Sequence, residues 1–150
     1  MTTTLAPDAA GILAVLGGQT RMRHRVCTLL DLTIEVREGL QKQTLTSVLR
    51  AATRSPAEAV IARRMIIPDA TWKRRTVYLR PDESDRTLRL ARVVALARYV
   101  WDGREDDATA FLMAKHPRLE GRTPLETCDT EIGARLVDDL LWQLFDGTVG

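Results

Sequence analysis

The sequence predicts an all-α protein, and three observations carry that expectation. Helix-forming residues dominate the chain, the apolar/polar alternation of β-branched residues that marks strands is scarce, and aromatic residues make up only 5%. The chain has 150 residues, 45% of them hydrophobic and 28% charged, within the range of ordinary globular domains, which excludes disordered and collagen-like classes. No stretch approaches the roughly 18 uninterrupted apolar residues a spanning helix needs, and Met1-Thr2-Thr3-Thr4 lacks the basic start of a signal peptide. The expected location is therefore the cytoplasm, with no membrane contact.

Taken in order, the apolar run from Asp8 to Leu16 stops at Gly17-Gly18 and predicts a short N-terminal helix with a glycine cap. Gln19 to Arg25 is polar and basic and reads as a loop, whereas Leu29 to Val36 fits either a helix or a strand. From Gly39 onward, Leu40, Leu45, Val48, Leu49 and Ala52 form a helical stripe ending near Thr53. Ser55, Pro56 and Glu58 combine an N-cap, a first-turn proline and a capping box, predicting a helix to about Arg63 with Ala59, Val60 and Ala62 inward. Ile66-Ile67-Pro68 breaks the chain, and Pro68-Asp69 opens a short helix through Arg75. Two short helices with a tight turn between them make a helix-turn-helix, whose second helix enters the DNA major groove.

Arg80-Pro81-Asp82-Glu83-Ser84 opens the next helix, whose apolar set Leu88, Ala91, Val94, Ala95, Leu96 and Tyr99 runs to Trp101 before Asp102-Gly103 stops it. Asp106 to Lys115 predicts a further helix with Ala108, Phe111 and Leu112 inward, and His116 to Pro124 a connecting loop. Thr130 caps the last helix, on which Ile132, Leu136, Val137, Leu140, Leu141, Leu144 and Phe145 recur at helical steps, with Gly147 as its C-cap. Three segments follow: an N-terminal extension at 1–38, a helix-turn-helix lobe at 39–80 and a C-terminal helical domain at 81–150.

Charge divides along the same line. Residues 1–80 hold 13 Lys and Arg against 6 Asp and Glu, a net of +7, and residues 81–150 hold 9 against 14, a net of −5. A basic lobe favours a polyanion through counterion release, and an acidic lobe is better suited to a protein. On the second helix of the turn motif, Lys73, Arg74 and Arg75 are placed to neutralise phosphates or read guanine, and Thr71 to touch a base or phosphate. Trp72 reads as a core anchor. Because such readers work as dimers on paired half-sites, a homodimer on operator DNA is expected.

Enzymatic chemistry finds no foothold. Gly17-Gly18 lacks any phosphate-loop context, and Cys27 and Cys128 form no CxxC, leaving neither a disulfide framework nor a zinc site. Asp106-Asp107 and Asp138-Asp139 are adjacent pairs that diverge by about 100° on a helix and do not converge on a substrate. No cofactor is implied.

The residues from Ser55-Pro56 through Ile67-Pro68 and Thr71-Trp72-Lys73-Arg74-Arg75, continued by Leu79-Arg80-Pro81-Asp82-Glu83-Ser84-Asp85-Arg86, resemble the Xre/MbcA/ParS antitoxin family. Ala110-Phe111-Leu112, Pro117, Leu119, Gly121, Pro124-Leu125 and Thr130-Glu131-Ile132-Gly133-Ala134-Arg135-Leu136-Val137 are similar to its C-terminal toxin-binding domain. The resemblance covers about residues 39–150 and departs at Trp72, where the family usually has Leu. It implies a non-enzymatic antitoxin whose toxin is a RES-domain protein, similar to ADP-ribosyltransferases, that consumes cellular NAD. It also implies that the C-terminal tail, Gly147, Thr148, Val149 and Gly150, reaches the toxin's NAD pocket. A helix-turn-helix regulator with a C-terminal dimerisation or ligand domain is the alternative.

Overall fold

The computed structural model describes residues 8–147, and these are all-α. Nine α-helices follow one another: α1 (Ala9–Val15), α2 (Leu29–Glu38), α3 (Lys42–Ala52), α4 (Pro56–Ile66), α5 (Asp69–Arg74), α6 (Pro81–Val100), α7 (Glu105–Met113), α8 (Pro124–Thr127) and α9 (Glu131–Asp146). No strand occurs among the described residues. An isolated antiparallel bridge pairs Gln41 with Tyr78, flanked by hydrogen bonds from Lys42 N to Val77 O (2.7 Å) and Leu79 N to Leu40 O (2.8 Å).

The structure decides the segment left open between helix and strand. Thr28 Oγ1 accepts from Asp31 N, and the Asp31 carboxylate accepts in return from the N–H groups of Thr28 and Cys27, so a reciprocal cap starts α2. The polar stretch before it is ordered by buried Glu35, whose two carboxylate oxygens accept from Arg23 N (3.0 Å) and His24 N (2.8 Å). Cys27 is exposed, and His24 pairs with Glu38, its Nε2 2.8 Å from the carboxylate.

α6 is the axis of the fold. The sequence suggested an apolar stripe, yet Leu90, Ala91 and Val93 through Ala97 are all buried, because α1, α2, α3, α7 and α9 pack around this helix. A helix apolar on most sides is an interior helix. Each fully buried Val or Leu there contributes about 1.5–3 kcal/mol. One hydrophobic cluster runs from Ala9 on α1 to Leu141 on α9.

One inward assignment is corrected and one apolar stripe is resolved into two faces. Val60 on α4 is 43% exposed, because only Ala62 on that helix is buried and Ala59 packs at the edge of the core. On α9, Val137, Leu140 and Leu141 face the core, but Ile132 and Leu136 point outward and Phe145 is exposed at the end.

Gly39 closes the second segment. Its φ is +97°, and a Cβ there would collide with the carbonyl oxygen of Leu79, so only glycine allows the two ends of the 39–79 segment to meet. Beside this joint, Leu40 N donates to the buried Ser84 Oγ on α6 at 2.8 Å.

Candidate functional site

α4 and α5 form the paired helices expected from the sequence. Ser55 Oγ accepts from Glu58 N, and the Glu58 carboxylate reaches back to Arg54 N at 2.8 Å, one residue earlier than in a standard capping box. Buried Ile67 sits in the break, and Pro68 starts α5. Arg63 and Arg64 both donate to the Asp69 carboxylate, and the hydrogen bond from Arg63 is the main reason its pKa lies below the usual range. These bonds fix the angle between the two helices. Trp72 packs against the core with Lys42 Nζ 4.3 Å from its ring centre, and the same ammonium donates to Arg75 O at the end of α5.

The four residues singled out on α5 divide into two groups. Lys73 and Arg74 are exposed, and Thr71 beside them is half-buried and accepts from Arg74. Arg75 turns to the protein instead. Its Nε and one terminal nitrogen each donate to a different oxygen of the Glu83 carboxylate at 2.8 Å, in a pair whose side chains are 16% and 7% exposed. Glu83 Oε1 also accepts from Arg80 N (2.9 Å), so one carboxylate both starts α6 and anchors the end of α5. The Arg75 guanidinium, then burial acting in the opposite direction, then the Arg80 amide set its pKa, which lies below the usual carboxylate range.

Sequence reasoning did not weigh three further exposed cations here, Arg50, Arg54 and Arg80. Arg50 and Arg54 line an apolar-floored cleft of about 520 Å³ with Leu49, Pro56, Ala59 and Trp72. Arg54 immediately precedes the cap of the first helix of the motif, a position visible in the sequence.

In the C-terminal part, α9 is seated by two devices. Thr130 Oγ1 accepts from Gly133 N at 2.9 Å, and a Cβ at Gly133 would overlap the Thr127 carbonyl oxygen of α8. Glu131 meanwhile forms ion pairs with Arg89 (3.3 Å) and Arg92 (3.5 Å) of α6. α9 ends at Gly147, which takes a left-handed conformation with its N–H bonded to Leu144 O. Of the proposed tail, Gly147 is exposed, and Thr148, Val149 and Gly150 lie outside the described residues.

Two groups here have shifted titrations. Burial pushes the Cys128 thiol up to about 12, which makes it an inert core side chain. Burial likewise raises half-buried Asp138 to about 6, against the pull of Arg92 and with added repulsion from Glu131 and Asp139. No set of side chains suited to holding a metal occurs among the described residues, and no described helix is long and apolar enough to cross a membrane.

Two comparisons with known proteins bear on this chain. Residues 96–147, spanning the end of α6 through α9, match the family model described as the antitoxin Xre/MbcA/ParS C-terminal toxin-binding domain. The chain is also 29% identical over 142 residues to Antitoxin Xre of Pseudomonas putida (strain KT2440), an alignment covering 87% of this chain and 86% of the relative. A match to a toxin-binding domain at the C-terminus and a relative aligned along most of the chain support reading this protein as an Xre-type antitoxin.

Proposed function

We propose that this antitoxin neutralises a RES-domain, NAD-consuming toxin by covering its active site with the C-terminal domain and tail, and that it represses its own operon as a homodimer through α5. It performs no catalysis of its own. The observation that carries the reading is the match of residues 96–147 to a toxin-binding domain. The acidic balance of that region and the exposed Lys73 and Arg74 on α5 support the division of labour. On α5, Thr71, Lys73 and Arg74 would meet DNA while Arg75 holds the helix in place. At the other end, residues 147–150 follow a capped helix in sequence and would enter a cleft built for an anionic dinucleotide, where small side chains fit.

Co-expression with the protein encoded beside this chain, followed by affinity purification and a cellular NAD assay, tests the reading. A stable complex, with NAD lost only when the antitoxin is absent, is the expected outcome. If nothing co-purifies and NAD is unchanged, the chain is better described as a plain helix-turn-helix regulator. Deleting residues 147–150 should release the toxin while leaving the fold intact.

A further inference from the structure

Ile132, near the start of a well-anchored helix, is 72% exposed, the most exposed large hydrophobic residue among those described. α9 cannot turn. The close approach of Gly133 to the Thr127 carbonyl holds one side of the helix, and the pairing of Glu131 with Arg89 and Arg92 holds its first turn. Ile132 therefore points outward by construction, and Leu136, one turn on and 52% exposed, lies on the same ridge. Exposed Asp139 and the Gln143 position continue that ridge, which reaches Gly147 about 22 Å from Ile132.

We infer that the Ile132–Leu136 ridge of α9 is the apolar anchor of the toxin interface, and that the toxin presents to it an apolar groove edged by cations. The inference rests on the toxin-binding reading above. Two observations select the toxin as occupant. The ridge lies wholly within the segment matched to a toxin-binding domain and is continuous with its C-terminal end. The same segment, residues 96–147, carries eleven Asp and Glu against six Lys and Arg, with exposed Asp139 directly beside the ridge, so a cationic rim complements it.

The test uses the full chain co-expressed with the toxin encoded beside it, comparing wild type, Ile132→Ala/Leu136→Ala and a control pair on another exposed face, Val60→Ala/Ile61→Ala. Toxin affinity of the purified chains, their thermal midpoints and their solution masses are measured in parallel. The ridge variant should bind toxin roughly tenfold to a hundredfold more weakly with an unchanged midpoint, and the control pair should bind as wild type. Equal binding by the ridge variant overturns the ridge while leaving the antitoxin reading in place. Failure of the wild type itself to bind toxin overturns both. A ridge variant that changes the mass of the free chain and not toxin binding assigns the ridge to a second copy of this protein, and also overturns the inference.

Discussion

Gly133→Ala separates two physical effects of opposite sign. On helix propensity alone, alanine in place of a helical glycine stabilises by about 1 kcal/mol. At this position the new methyl group would overlap the Thr127 carbonyl oxygen, and would also lie 3.0 Å from both the Thr127 carbonyl carbon and Thr130 Oγ1. Relieving that overlap requires α8 and α9 to separate by roughly 1 Å or more, which loosens the packing of Ala134 and Val137 below it and strains the bond from Gly133 N to Thr130 Oγ1. Overpacking costs about 1–3 kcal/mol, and against a carbonyl oxygen the upper end of about 3 kcal/mol applies, so it outweighs the propensity gain of about 1 kcal/mol and the variant should lose about 2 kcal/mol net. Urea unfolding followed by circular dichroism measures this directly, and toxin affinity should fall as α9 shifts. A variant as stable as wild type, or more stable, would show that α9 is not held at Gly133 and refute the argument that its outer ridge is fixed.

Further predictions concern the charged groups. Glu83→Gln should destabilise by about 2–3 kcal/mol in urea unfolding, since it leaves Arg75 with half a partner at the buried joint. Because the folded-state pKa of Glu83 is lowered, its contribution is complete above the usual carboxylate range and is lost as pH falls through the lowered value, so the variant and wild type should converge in acid. Asp138 behaves oppositely: its folded-state pKa is raised to about 6, so its contribution is present at acid pH and lost as pH rises through that value. Asp138→Asn should gain about 1–2 kcal/mol at pH 8 and nothing at pH 4, measured by thermal or urea unfolding, with the gain held down by solvent access to the half-buried carboxyl. Lys73→Ala/Arg74→Ala should weaken operator binding and flatten its salt dependence by about one unit per lost phosphate contact, read by titration at several salt concentrations.

Much of the architecture was legible in the sequence because caps and breakers are local. Ser55-Pro56, Ile67-Pro68, Pro81 and Thr130 all mark helix starts or interruptions that the structure contains. α2 was not legible, since its Leu, Thr, Ile and Val content suits two conformations and the deciding event is a cap at Thr28 and Asp31. Facing was harder still. The stripe on α9 combines core residues with Ile132 and Leu136, and periodicity cannot tell an inward apolar residue from an outward one on a helix with two apolar faces. Arg75 was grouped with its basic neighbours because its partner lies eight residues away across a joint, and Glu83 gives no sequence signal beyond its place at a helix start.

The Arg75–Glu83 pair joins the end of α5 to the start of α6, and α6 is the helix against which α9 is packed and pinned. The surfaces proposed to face DNA and toxin thus share one rigid reference and stand at a set offset. A toxin seated on α9 would travel with the antitoxin as added bulk of defined position. Whether two loaded antitoxins fit on neighbouring half-sites then becomes a question of how the half-site spacing compares with the width of the toxin, answered by excluded volume and needing no change of shape in the antitoxin.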